Sequence, residues 1–298
     1  MTTARTLAVQ SVLYGTPPDA LVAAALSLAN SVRWAVDAGE ISTWSLHLGD
    51  CSPVAVIDDS LRSRLEDAVG SAGGTLVEQF FAANLGSAEG HNRLAAGSDS
   101  ELILILNPDA QVAPDAVTEL ARSLRGDVGI AEARQVPFEH PKEYAKHTGN
   151  TSWASTACAM TPRSVFDAVD GFDSATFFLY CDDVDYSWRV RLAGWRVVYQ
   201  PAAAVYHDKR LLVSGDWPAS PAEIYYSAEA ALLLAHKYSR RDVVKRLESR
   251  YAKDREPAVQ RALAEFRSRR HDGRLATPLD ADHRVGNFVK DNYGEHRF

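Results

Sequence analysis

Three aspartates, Asp182, Asp183 and Asp185, fall within four positions of a stretch that is otherwise aromatic and apolar, Phe177–Trp195 (FFLYCDDVDYSWRVRLAGW). A carboxylate beside desolvated surface can be tuned as a general base. Helix chemistry accounts for part of the cluster. Val184, Trp188 and Leu192 recur at i, i+4 and i+8 and form a buried seam. Asp185 and Arg189 are four apart in the favourable acid-first order. One further aspartate is useful as an N-cap on the helix dipole. Asp182 and Asp183 both compete for that place, so one carboxylate exceeds what a helix needs.

Other polar groups arrive at strand ends. Glu101–Leu106 (ELILIL) reads as a buried strand that ends in Asn107-Pro108-Asp109. Parallel sheets place ligands at the carboxyl ends of their strands, and Pro108 denies the ladder a further N–H and enforces a turn. Two roles fit Asp109: a turn or helix-cap residue, with Asp115 competing for the cap, or a carboxylate delivered to a binding edge. Asp50 ends an earlier strand in a Gly-Asp turn, where it either orders the turn or accepts from a base or ribose. His207 follows two strand-like runs around Pro201 (WRVVYQPAAAVYH), with Asp208, Lys209 and Arg210 keeping that end polar. By its residues alone His207 reads as a structural histidine.

The elements that must position these groups alternate. Leu7–Tyr14 reads as a strand, Asp19–Val36 as a helix, the segment through Trp44, Leu46 and Leu48 as a second strand, about Ser60–Ala72 as a helix and GTLVEQF as a third strand. Such alternation predicts an α/β fold, Rossmann-like, with a mostly parallel sheet covered by helices on both faces. Between Asp127 and Trp153 the chain is expected to be irregular, with Arg134–Trp153 a candidate binding lip. From Pro221 to about Arg270 it reads as helical, giving a catalytic unit over 1–210, a helical region over 211–298 and a loosely determined tail after Gly273. With 298 residues, 46% hydrophobic and 24% charged, the chain has the composition of a soluble globular protein, and a net charge of −7 argues against broad nucleic-acid binding. Three scattered cysteines form no disulfide or zinc pattern. No signal-peptide layout and no apolar run of ~20 residues is seen, so the expected location is cytoplasmic, with a peripheral place at the inner face of the membrane left open. Lys237, Arg240, Arg241, Lys245, Arg246 and Arg250 crowd the C-terminal helices. They either dock on an anionic membrane or form a solvated face beside a stripe that packs into the core or against a second subunit.

Taken in order, HLGDCS, NLGSAEGHNRL, LILILNPD, WASTACAM, GFDSATFFLYCDDVDYSWRVRLAGW and VYH resemble the family 2 inverting glycosyltransferases of GT-A fold. Within them the resemblance is to the bacterial rhamnosyltransferase and galactofuranosyltransferase-like branch, and it covers about Leu7 to Arg210. It implies that Asn107-Pro108-Asp109 is a DxD variant keeping the last carboxylate. Asp109 and His207 would then hold a divalent cation, Mg²⁺ or Mn²⁺, against the diphosphate of a nucleotide-sugar. Asp50 would contact the nucleobase or ribose, and Asn84, Asn92, Arg93 and Asn107 would border the nucleotide. Asp183 is implied as the catalytic base and Asp182 as its acceptor-binding partner, with Trp153 and Thr156 beside the acceptor. The alternative role for Trp153 is a core aromatic. The chain departs from the family at Asp182, usually Glu, and at Thr156, often Gly. The implied partners are a dTDP- or UDP-linked sugar, L-rhamnose among the candidates, and a saccharide, lipid-linked or small-molecule acceptor. The alternatives are a nucleotidyltransferase, for which YGTPPDALVAAA lacks the usual triphosphate-gripping loop, and a non-catalytic sugar-binding scaffold.

Overall fold

The computed structural model describes residues 3–137, 143–207 and 219–294. Its first half alternates as the hydrophobic pattern requires: β1 (Arg5–Leu13), α1 (Pro18–Asp37), β2 (Ile41–Asp50), α2 (Asp59–Gly70), β3 (Thr75–Phe80), α3 (Gly86–Ala96) and β4 (Leu102–Leu106). Then follow β5 (Ala110–Val112), α4 (Ala116–Ser123), β6 (Val128–Val136), β7 (Cys158–Pro162), α5 (Arg163–Ala168), α6 (Asp182–Leu192) and β8 (Arg196–His207). Helices α7 (Pro221–Lys237), α8 (Arg241–Tyr251) and α9 (Pro257–His271) complete the order. The strands form one sheet, β3-β2-β1-β4-β7-β6-β8-β5. The β3-β2-β1-β4 half is parallel throughout and β6–β8 is parallel, whereas β7 runs antiparallel to β4 and β6, and β5 antiparallel to β8. Strand β4 shows that both faces are covered. Leu102, Leu104 and Leu106 enter one apolar core, and Ile103 and Ile105 enter another on the opposite face.

Three expectations are corrected. The stretch after Asp127 is not irregular at its start, because Val128–Val136 forms β6, with Val128, Ile130, Ala131 and Ala133 buried. The runs flanking Pro201 are one strand. Its pairing with β6 jumps from Ala133↔Gln200 to Arg134↔Ala204, so the missing proline N–H falls in a bulge. The tail after Gly273 is tied down. The Asp280 carboxylate accepts from the backbone N–H groups of Arg284, Val285 and Gly286 at 2.7, 2.9 and 2.8 Å. Phe288 then meets Trp188 edge-on at 5.4 Å. The boundary at residue 210, with Asp208, Lys209 and Arg210, lies outside the described residues.

Helices α7–α9 share an apolar core with Phe177, Val184 and Trp188. At its centre is a buried ionic knot. Asp185, wholly inaccessible, lies 2.8 Å from Arg189 Nε and 2.6 Å from Lys237 Nζ, and accepts from the Tyr238 hydroxyl at 3.1 Å. Lys237 also meets Asp173 at 2.6 Å, and Arg189 donates to the carbonyls of Val169 and Gly171. Lys237 is therefore not part of a basic surface. Arg240, Arg246 and Arg250 are engaged as well, with Asp242 and Asp291.

Removing one partner from such a knot leaves uncompensated buried charge. Asp185→Ala is expected to cost about 3–5 kcal/mol in urea unfolding; a loss below about 1 kcal/mol would mean the knot is dispensable. A pH effect is expected from His91, buried in α3, where desolvation lowers the imidazolium pKa to about 4. An unfolded histidine titrates near ~6.5, so between these values the unfolded chain binds a proton that the folded one refuses. Stability from this site is complete above ~6.5 and falls as the pH drops toward about 4. His91→Gln should flatten the pH dependence of the urea midpoint across that window; an unchanged slope would assign acid sensitivity elsewhere.

Candidate functional site

Strands β4 and β8 bring Asn107, Asp109 and His207 together at one edge of the sheet. Pro108 ends β4, and Ala110 starts β5 directly opposite His207 in the antiparallel register. His207 Nε2 stands 3.5 Å from Asp109 Oδ1 and 3.2 Å from Asn107 Nδ2. The Asn107 amide nitrogen can only donate, so Nε2 accepts. In the neutral ring with Nε2 accepting, the proton lies on Nδ1, which then donates to Oε1 of buried Gln135 at 3.4 Å. A Gln135 clamp of this kind orients a metal-ligating histidine and presents its Nε2 lone pair. The half-exposed Asp109 adds a hard oxygen donor. Among the described residues no group of three or more His, Cys, Asp or Glu is arranged so as to hold a metal ion. One carboxylate and one imidazole fit a divalent cation that takes its remaining ligands from diphosphate oxygens and water.

Asp182 and Asp183 open α6, but neither caps it. The N-cap position is Cys181, and it makes no side-chain cap hydrogen bond. Tyr180 and Cys181 both take left-handed backbone, with φ of 66° and 56°. Two consecutive non-glycine residues there store of order 1–3 kcal/mol each, a feature concentrated at functional sites. The turn is braced by α3. Gly86 has φ of 73° and abuts Phe178, whose carbonyl oxygen a Cβ would strike. The Ser87 N–H donates to that same carbonyl at 3.0 Å. The glycine of NLGSA is thus required by close backbone approach.

The two carboxylates differ in setting. Asp182 is buried, and its Oδ2 has no hydrogen-bond partner among the described residues. Burial pushes its carboxyl pKa up, against an opposing hydrogen bond from Ser87. Asp183 is partly exposed, and its Oδ1 accepts from the Val184 N–H at 2.8 Å. The loop before β7 links this helix start to the Asn107 turn. Ser187 Oγ donates to the Asp183 carbonyl at 2.7 Å and accepts from the Ala154 N–H at 3.0 Å. One residue past the partly buried Thr156, the Ala157 carbonyl accepts from Asn107 N–H at 3.0 Å, which sets Thr156 between the two groups.

Several implied ligands also hold the scaffold. Trp153 is only 4% exposed, within the core of α7–α9, with Tyr293 edge-on at 5.1 Å, so the core reading replaces an open stacking platform. Asn92 spends both ends of its amide on the Phe172 backbone, at 2.8 and 2.9 Å, and so clamps the loop before the aspartates. Asp50 is buried, and its oxygens accept from the Ser52 and Val56 N–H groups at 2.9 and 2.6 Å, the turn-ordering role. Exposed Asn84 accepts from the Gly86 N–H at 3.3 Å, holding the α3 entry. Arg93 lies on the surface, paired with Glu89 at 2.9 Å and stacked over Phe81.

Two residues near the site carried no signal of their own in the sequence. Gln135 lies 72 positions from His207. Tyr293 comes from the far end of the chain; burial and the neighbouring Cys181 and Asp183 groups push its phenol well above its ordinary pKa range.

The family model described as glycosyltransferase like family 2 matches residues 138–214. The N-acetylglucosaminyl-diphospho-decaprenol L-rhamnosyltransferase of Mycobacterium tuberculosis is 30% identical over 151 residues, 46% of this chain and 45% of that protein. Rhamnosyltransferase WbbL of Escherichia coli is 36% identical over 78 residues, 25% of this chain and 29% of that one. The chain thus aligns with less than half the length of these relatives. Among solved structures, GalNAc-T7 with UDP, GalNAc and Mn²⁺ superimposes with a TM-score of 0.61 at 10% identity, over 89% of this chain and 55% of that one. The mannosyltransferase PcManGT of Pyrobaculum calidifontis, in complex with GDP-Man and Mn²⁺, gives 0.53 at 14% identity over 95% of this chain and 79% of that one. These two share the fold, and the matched family segment contains the start of α6 and His207. Residues 138–214 are thus glycosyltransferase like family 2 sequence, on a fold shared with these two solved structures and beside partial matches to rhamnosyltransferases.

Proposed function

We propose that the protein transfers a sugar from a nucleoside-diphosphate sugar to an acceptor hydroxyl, with inversion at the anomeric carbon. The observation that carries this reading is the pairing of Asp109 with a His207 ring whose Nε2 faces it, linked by one loop to the strained start of α6. A divalent cation held by Asp109 and His207 would supply Lewis-acid stabilisation to the leaving diphosphate. Asp183 takes the proton of the attacking hydroxyl, which is a poor nucleophile at neutral pH without a base. The N-terminus of α6 favours its carboxylate form before the proton arrives. Asp182 offers the unpartnered Oδ2 to an acceptor hydroxyl, and a single base acting in direct displacement leaves no covalent sugar–enzyme intermediate. The names of the sequence relatives support L-rhamnose as the donor sugar and a lipid-linked saccharide as the acceptor.

Loss of a general base typically costs about 10²–10⁴ in rate. Asp183→Asn should lower turnover by that range while leaving Mn²⁺-dependent nucleotide binding intact; unchanged turnover would remove Asp183 from the chemistry. Calorimetric titration of UDP, dTDP and GDP with and without Mn²⁺ should find one nucleotide that binds tightly only with the metal. Gln135→Leu frees the ring of its clamp, and should weaken that metal-dependent component about 10–100-fold while metal-free binding is unchanged. Equal binding with and without Mn²⁺ would refute the Asp109–His207 site.

A further inference from the structure

One cavity lies away from the Asp109–Asp183 edge. A cleft of about 970 Å³ opens at the other end of the same elements, between the 143–152 loop, the last turn of α6, the start of β8 and the C-terminal segment. Arg191 is eight residues past Asp183, ~12 Å along the helix. Arg196 opens β8 and is eleven residues, ~36 Å of strand, from His207. This cleft is therefore distinct from the donor edge.

Four cations from four separate segments line it: Lys146, Arg191, Arg196 and Arg284, with Glu143 the single carboxylate in the lining. Arg196 is neutralised by Asp127 at 2.8 Å. The other three have no carboxylate within ion-pair distance among the described residues. Asp280 feels the Arg284 charge, but its oxygens accept from the backbone N–H groups of Arg284, Val285 and Gly286. Arg191 is the telling member. Its guanidinium is partly buried and touches only the Ser152 and Val285 carbonyls, both at 3.3 Å, and burial lowers its pKa although Asp280 opposes the effect. A half-buried cation without an anionic partner is costly, and the cost is relieved by an anion brought into the cleft. The C-terminal dipole of α6 favours Arg191, but it does not account for Lys146 and Arg284 converging on the same space from loops.

We propose that this cleft is a second binding site, for a ligand bearing a phosphate or diphosphate group, gripped by Arg191, Arg284 and Lys146. Planar guanidinium forks match phosphate oxygens in paired hydrogen bonds, and lysine adds a point charge. Three unpaired cations in a chain of net charge −7 select a multiply charged anion rather than a monocarboxylate. The site draws on the C-terminal segment as well as the catalytic sheet, and does not depend on the assignment of Asp183 or Asp109.

The test uses the full chain in chelator, so that no metal-dependent nucleotide binding contributes. Sodium pyrophosphate is titrated at low salt, and flotation is run in parallel with vesicles of phosphatidic acid in phosphatidylcholine against phosphatidylcholine alone. Lys146 and Arg284 are exposed, so the double variant Lys146→Gln/Arg284→Gln keeps the fold. It should lose about tenfold or more in pyrophosphate affinity, as expected for two lost charge-assisted contacts. Asp109→Ala should bind pyrophosphate like the wild type. Binding of pyrophosphate identifies a soluble phosphorylated ligand as sufficient. Flotation with phosphatidic acid alone, abolished by the same double substitution, identifies a lipid headgroup as the source. Wild-type protein that binds neither probe, or a double variant that binds both unchanged, overturns the proposal.

Discussion

The buried Asp185 carboxylate is the constraint around which the rest of the molecule is arranged. It sits one turn into α6 and is claimed by Arg189 from its own helix and by Lys237 and Tyr238 from the end of α7. Arg189 carries the network on to the Val169–Gly171 turn, and Lys237 carries it to Asp173. One ionic knot thereby sets the direction of α6, the course of the loop that approaches it, and the docking of the C-terminal helices. Asp182 and Asp183, three and two positions earlier, inherit a rigid base. The aspartate spent wholly on the fold is the one that fixes the position of the other two.

Strain and polarity are concentrated just ahead of that base. Tyr180 and Cys181 hold left-handed backbone while apolar contacts close around them, and Gly86 admits the Phe178 carbonyl where any side chain would collide. The compensation is spread over the second core, in which α7–α9, Phe177 and Trp188 pack together. The C-terminal segment belongs to the same system. It is anchored through Asp280 and through Asp291 with Arg246 and Arg250, and it delivers Tyr293 to the Trp153 ring beside the helix start. The crowded arginines of α8 are in good part the fastenings of this strap.

Much of the fold was legible along the chain, because alternation of apolar residues reports burial directly. Leu102–Leu106 shows it in full: its even- and odd-numbered residues enter opposite cores. The i, i+4 logic of Val184, Trp188, Asp185 and Arg189 was readable for the same reason, since helical neighbours are fixed by local geometry. Strand β6 was hidden, because a glycine and alternating polar residues masked its periodicity, and its burial comes from pairing with distant β7 and β8. Single residues misled where their polar atoms had a backbone partner far away. Asn92 reaches Phe172 and Trp153 meets Tyr293, and neither contact leaves a trace in local pattern.

The sequence by itself determined the alternating α/β order, the carboxylate at the end of β4, and the surplus of aspartates before α6, since each follows from residue type and short-range spacing. Only the tertiary structure decided which of those aspartates is spent on the fold and which histidine faces Asp109. It alone gave that histidine its Gln135 clamp and brought four cations to a common cleft. Those outcomes depend on contacts between positions dozens to more than a hundred residues apart, as in the Asn107–His207 pair separated by 100. Side-chain polarity tells what a group can do, but its partners are chosen when the chain closes.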